Sequence, residues 1–162
     1  MKGLFIILLI SISLNAFAQS SAKKIYGNYT GYFGTNLQIK EDFTFDFEWH
    51  FDMSSSWTKG VWYRINDTIF LKKVIVYDTL ILKNDSVTLV ISMDKQRDKI
   101  YQSNNLTSSI SSGGQDRYPI PDKLLFKNRK LFLFRKGKVF KKKLRGFSNK
   151  KIYPSWFVKE SN

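Results

Sequence analysis

The sequence contains no cysteine, which excludes a thiol nucleophile, a thiolate metal centre and any disulfide staple at one stroke. Folding therefore rests on burial and hydrogen bonding alone. Histidine occurs once, at His50, too little nitrogen for an ordinary zinc site. Acidic residues are scarce, with 13 Asp and Glu against 27 Lys and Arg, for a net charge of +14. There is no Gly-x-Ser-x-Gly elbow, no glycine-rich phosphate loop, no internal repeat and no amphipathic helical pattern. Each absence removes the usual signature of an enzyme class. No catalytic residue, metal ligand or cofactor is assigned, and a non-enzymatic role is expected.

The longest apolar run, Leu4 to Leu14, is broken by Ser11 and Ser13. It falls short of the ~20 apolar residues a membrane-spanning helix needs. Lys2 precedes it, and Ala16-Phe17-Ala18 follows with small residues where a signal peptidase reads. This order is that of a secretory signal peptide over 1–18. Residues 19–162 are then expected to form one exported domain, in the periplasm, at the outer-membrane surface or outside the cell. That length suffices for a single core.

The remaining sequence alternates. Between residues 42 and 52, Phe43, Phe45, Phe47, Trp49 and Phe51 occupy every second position, separated by Thr44, Asp46, Glu48 and His50. Successive strand side chains leave opposite faces, so the spacing sets an aromatic face against a polar one. Further strands are expected over 26–32, 37–40, 57–65, 68–72, 74–82 and 87–93, near Ile100, and over 124–126, 131–134 and 139–144. Asn66-Asp67, Asn84-Asp85 and Gly137 mark turns, and residues 52–56, with their serines, read as a polar turn. Residues 94–119 read as a long mobile loop. Leu131-Phe132-Leu133-Phe134 is apolar on both faces, with Tyr153, Trp156, Phe157 and Val158 as its expected cover. The fold class is all-β: an antiparallel up-and-down barrel or rolled sheet of about 8–10 strands.

One stretch resembles a known arrangement. Gly27-Asn28-Tyr29 opens a strand, Leu37-Gln38-Ile39 follows, then the aromatic strand, then Gly60-Val61-Trp62 and Asp67-Thr68-Ile69-Phe70-Leu71. This order is similar to that of lipocalin-like (calycin-type) secreted barrels. The signal ending in Ala-Gln and the richness in Lys, Asn and Ile look like small exported proteins of the Bacteroidetes group. The chain departs from lipocalins in having Tyr29 rather than Trp at the opening, no cysteine pair and a basic C-terminal segment. The resemblance implies a barrel more than any ligand.

Three sets of residues bear on function. Arg135, Lys136, Lys138, Lys141, Lys142, Lys143 and Arg145 crowd the basic segment 121–162, with Lys150, Lys151 and the aromatic Tyr153, Trp156 and Phe157 beyond. Clustered cations beside aromatic rings suit phosphate-bearing surfaces, so anionic envelope lipids or polyanions are the expected partners. Export argues against a specific nucleic-acid partner. The competing reading is a solvated edge whose lysines block strand-to-strand aggregation. Phe45, Phe47, Trp49 and Trp62 either line a cavity for a small apolar ligand or fill a small barrel. Asp46, Glu48 and His50 share one strand face at spacings of about 7 Å. They carry the alternative of a carboxylate- or metal-dependent hydrolase, set against a plain solvated face.

Overall fold

The structure is a computed structural model and describes residues 25–102, 113–146 and 151–161. The expected signal peptide over 1–18 and Lys150 lie outside the described residues. Fourteen strands are described: β1 (Gly27–Thr30), β2 (Thr35–Ile39), β3 (Thr44–Phe51), β4 (Ser54–Ile65), β5 (Thr68–Val74), β6 (Tyr77–Ile81), β7 (Val87–Ile91), β8 (Lys99–Tyr101), β9 (Lys123–Lys127), β10 (Lys130–Arg135), β11 (Lys138–Phe140), β12 (Lys143–Arg145), β13 (Ile152–Pro154) and β14 (Phe157–Lys159).

Eight of these strands close an antiparallel barrel in the order β10-β14-β1-β2-β3-β4-β5-β9, sealed where β9 pairs back onto β10. β11 extends β10 beyond the rim. β12 and β13 form a separate hairpin, and β6, β7 and β8 form a small three-stranded sheet. Within that sheet β8 runs parallel to β6.

The alternation in β3 fixes the inside of the barrel. Phe45 and Phe47 point inward and are fully buried, together with Tyr29, Leu37, Ile39, Ile69, Leu124 and Leu131. An eight-stranded barrel has an interior that side chains can just fill. The two ends of the aromatic row behave differently. Phe43 sits in the β2–β3 turn at a positive φ of 62° and is exposed, and Phe51 is also exposed at the β3–β4 turn. The expected five-ring buried face thus shrinks at both ends, because strand pairing ends there and the interior ends with it.

Gly60 makes room for this packing. It lies directly opposite Phe45 on β4. A Cβ at Gly60 would stand 2.2 Å from the Lys72 carbonyl oxygen and 2.6 Å from the Phe45 ring. The ring fills the space that the glycine leaves empty. At the end of the barrel where the chain enters, Tyr29 donates its hydroxyl to the Ile25 carbonyl at 2.5 Å. Nearby, Trp62 donates its indole N–H to the Lys40 carbonyl at 3.0 Å, with Tyr26 and Phe43 against its ring.

Several boundaries differ from the sequence reading. Ser54, Ser55 and Ser56 belong to β4, not to a turn; Ser56 is buried and its hydroxyl accepts from the Tyr118 N–H at 2.9 Å. Residues 74–82 divide between β5 and β6, since the chain leaves the barrel wall after Val74. The tail does not lie over β10 as a simple cover. β14 is a wall strand between β10 and β1 with Phe157 turned into the core, and Trp156 alone covers Phe132, at 5.5 Å between ring centroids. Within the expected loop 94–119, Lys99–Tyr101 is the strand β8 expected near Ile100. Gly114 and Asp116 are bonded to the Trp57 backbone, and residues 103–112 lie outside the described residues.

Two substitutions probe this core. Gly60→Ala is expected to lower unfolding free energy by about 1–3 kcal/mol through overpacking, read by urea denaturation. Burial pushes the Tyr29 phenol well above its ordinary value near 10. Above pH ~10 the unfolded chain releases that proton while the folded chain holds it, so stability falls as pH rises. Tyr29→Phe should cost about 1 kcal/mol at neutral pH. It should also show a shallower loss of melting temperature above pH ~10 than the parent chain.

Candidate anion-binding wall

From Lys123 to Arg145 the sequence holds eleven Lys or Arg and no Asp or Glu. The fold spreads this segment over the barrel strands β9 and β10, the extension β11 beyond the rim and β12 of the separate hairpin at the mouth, which together are called the β9–β12 wall. In β10, Leu131 and Leu133 point inward, which sends Lys130, Phe132 and Phe134 outward. The β9–β10 register sets Leu125 opposite Phe132 and Lys127 opposite Lys130 on the same outer face. Half-buried rings therefore stand on the outside of the barrel with cations over them. Lys123 Nζ lies 5.1 Å from the Phe134 centroid, Lys130 Nζ 5.6 Å from Trp156 and Lys141 Nζ 5.9 Å from Phe132, while the Arg135 guanidinium, 5.6 Å from Phe140, lies on the other face, since Phe140 pairs with the inward Leu133.

These contacts are attractive but leave the charge uncancelled. The ion pairs Lys40–Asp46, Lys95–Glu48, Arg64–Asp67 and Lys73–Asp116 all lie elsewhere. Arg135, Lys136, Lys138, Lys141, Lys142, Lys143 and Arg145 are all exposed, spread over β10, β11 and β12 and the turns between them. At the edge of the wall, burial and then the neighbouring Arg129 hold the Lys159 amine below its ordinary range. The arrangement is an unneutralised positive surface with an apolar floor, and it can attract phosphate oxygens at long range.

The other two sets go to different places. Phe45, Phe47 and Trp62 are core residues, and of the four interior candidates only Phe47 borders a described cavity. Trp49, half buried, stacks on Tyr118 at 4.8 Å. The space at the barrel mouth lies beyond these rings. One cavity of about 170 Å³ runs between Phe47, Tyr118, Leu133, Leu144, Trp156 and Phe157, with the buried, unpaired Ser155 hydroxyl on its lining. A larger groove of about 600 Å³ lies outside it, between Tyr32, Phe33, Phe51, Tyr153 and Pro154.

Asp46, Glu48 and His50 share the outer face of β3, as the alternation requires. Asp46 pairs with Lys40 at 2.5 Å, Glu48 pairs with Lys95, and His50 Nε2 stands 3.7 Å from Glu48. Among the described residues no group of three or more His, Asp or Glu is arranged to hold a metal ion. Each carboxylate is partly buried and faces a lysine.

Two features had little signal in the sequence. Lys95 returns to β3 from the β6–β8 sheet, and Tyr118 folds over the mouth. Both follow from the path of a long excursion, which local alternation does not encode. The pairing of Lys123 with Phe134 and of Lys141 with Phe132 has a different cause, the exact registers of the β9–β10 and β10–β11 hairpins, while the charge run that supplies the cations was plain.

No family model matches the chain, and no curated protein or solved structure is significantly similar to it. The class is defined by the fold: a closed eight-stranded antiparallel β-barrel, consistent with a lipocalin-like fold.

Because Glu48 is about a third exposed, Glu48→Gln should change stability by less than about 1 kcal/mol. Calcium or zinc should leave the thermal midpoint of both proteins unmoved. A metal-dependent shift in the parent that the variant loses would restore the polar face of β3 as a ligand site.

Proposed function

We propose that this chain is a non-enzymatic, exported binding protein of the cell envelope that associates with anionic surfaces through the β9–β12 wall. The observation that carries this reading is the set of outward Phe132, Phe134 and Trp156 rings, each overlaid by a lysine. A wall that served only to stay in water would have no use for rings on its outer face. An interfacial surface does, because lysines reach the phosphates while the rings meet the boundary of the acyl region. Each cation near an anionic membrane contributes about 1 kcal/mol, so a handful suffices for reversible attachment.

A second role, carriage of a small apolar ligand, is favoured by the aromatic groove of about 600 Å³ at the mouth, a volume within the usual range for ligand sites. It lies beside the β12–β13 hairpin, so attachment and loading would occur at one end of the molecule.

Co-sedimentation with phosphatidylglycerol vesicles, and with phosphatidylcholine vesicles as the neutral control, tests attachment. Binding is expected only to the anionic vesicles, with a steep loss as salt rises. Changing Lys141, Lys142 and Lys143 together to Gln should weaken it by at least about tenfold. Equal binding to both vesicle types, or binding indifferent to salt, would reject the reading.

A further inference from the structure

The small sheet outside the barrel has a face that none of the described residues covers. In β7 the run Val87-Thr88-Leu89-Val90-Ile91 exposes Val87 at 63%, Leu89 at 65% and Ile91 at 56%. The register brings Tyr77 beside Ile91 and Thr79 beside Leu89 on β6, and Tyr101 on β8 beside Ile81. Tyr77 and Tyr101 are also exposed. The opposite face holds Asp78 and Leu80, both buried. The sheet is thus inverted: its aliphatic side meets solvent. Scattered exposed apolar residues are ordinary, but a registered set on one sheet face is not.

The same sheet ends on β7, an edge strand without a single charged residue. Proteins usually protect such edges with lysine, and this chain has lysine in abundance elsewhere. Charge points the same way. From Tyr77 to Tyr101, Lys83, Lys95, Arg97 and Lys99 are balanced by Asp78, Asp85, Asp94 and Asp98, in a chain carrying +14 overall. A second copy approaching anywhere near the β9–β12 wall meets strong repulsion. At the β6–β8 sheet it meets a segment balanced in charge, with Lys99 beside Thr79 the one charged strand residue on the exposed face.

We propose that the β6–β8 sheet is a self-association face, on which two copies of this chain pack symmetrically with Val87, Leu89 and Ile91 at the centre. Two-fold symmetry suits the patch, since an isologous contact needs one surface that complements itself. The sheet is anchored to β4, where Trp57 donates its indole N–H to the Met93 carbonyl at 3.1 Å and Lys59 its amine to the Lys95 carbonyl at 3.0 Å. β4 lies three strands from β10 around the barrel. The contact therefore leaves both cationic walls free, and a dimer would present two of them to one surface, adding avidity without new contacts.

Sedimentation velocity of the purified chain over a wide concentration range tests the proposal. The parent should form a dimer. Leu89→Lys should weaken it by at least about tenfold, as expected of a central apolar contact, with an unchanged thermal midpoint. Leu89→Thr keeps a β-favouring side chain and should weaken the dimer in the same direction, should the lysine variant fold poorly. Thr88→Lys, on the other side of the same strand, should leave the dimer intact. A parent that stays monomeric throughout, as it would if residues 103–112 covered the face, overturns the proposal. So does a dimer indifferent to both Leu89 variants. The Lys141, Lys142 and Lys143 to Gln protein should dimerise like the parent, so failure here and failure of anionic attachment are read separately.

Discussion

Everything in this molecule depends on the pairing of β9 with β10. Leu124 opposite Leu133 and Leu131 opposite Phe126 join the two ends of the sheet into a ring. Closure removes the free edges that an open sheet would present. It also fixes an interior that must be filled by side chains of the right size. Phe45 and Gly60, facing each other across β3 and β4, are one local answer to that demand: a large ring and no side chain share one space. Without closure the alternation in β10 would have no inside, and Phe132 and Phe134 would have no outside on which to meet the lysines.

The barrel also separates two surface chemistries that are mixed in the sequence. The segment from Lys123 to Arg145, rich in cations and free of carboxylates, becomes a wall. The stretch from Tyr77 to Tyr101, balanced in charge and aliphatic on one face, is carried outside the ring on β4. A strongly basic protein repels its own copies and attracts anions. Placing the neutral sheet away from the cationic wall lets the molecule present one kind of contact without disturbing the other.

How far these features were legible depends on how local their cause is. The period of two in Phe45, Phe47 and Trp49 names a half-buried strand directly, because strand geometry alone produces it. The turns at Asn66 and Gly137 were legible for the same reason; both adopt the positive φ that their residue types tolerate. The role of residues 157–159 was not. Their apolar pattern suits a cover as well as a wall strand, and only the pairing of Tyr29 with Lys159 decides between them. The wall was half legible: its charge came from composition, while the rings under Lys123 and Lys141 came from the exact registers of the β9–β10 and β10–β11 hairpins. The exposure of the Val87, Leu89 and Ile91 face of β7 was not legible, since alternation reports two faces without saying which one meets water.

β14 slots between β10 and β1, so a strand near the start of the described chain finds its neighbour only near the end of it. Thr30 reaches Glu160 with a hydrogen bond of 2.5 Å across 130 residues. During folding β1 keeps one flank unoccupied until β14, far along the chain, docks beside it. Such remote pairings assemble slowly. The final zipping of β14 is then a late, all-or-none event, and the orderly display of cations around Trp156 exists only once it has happened.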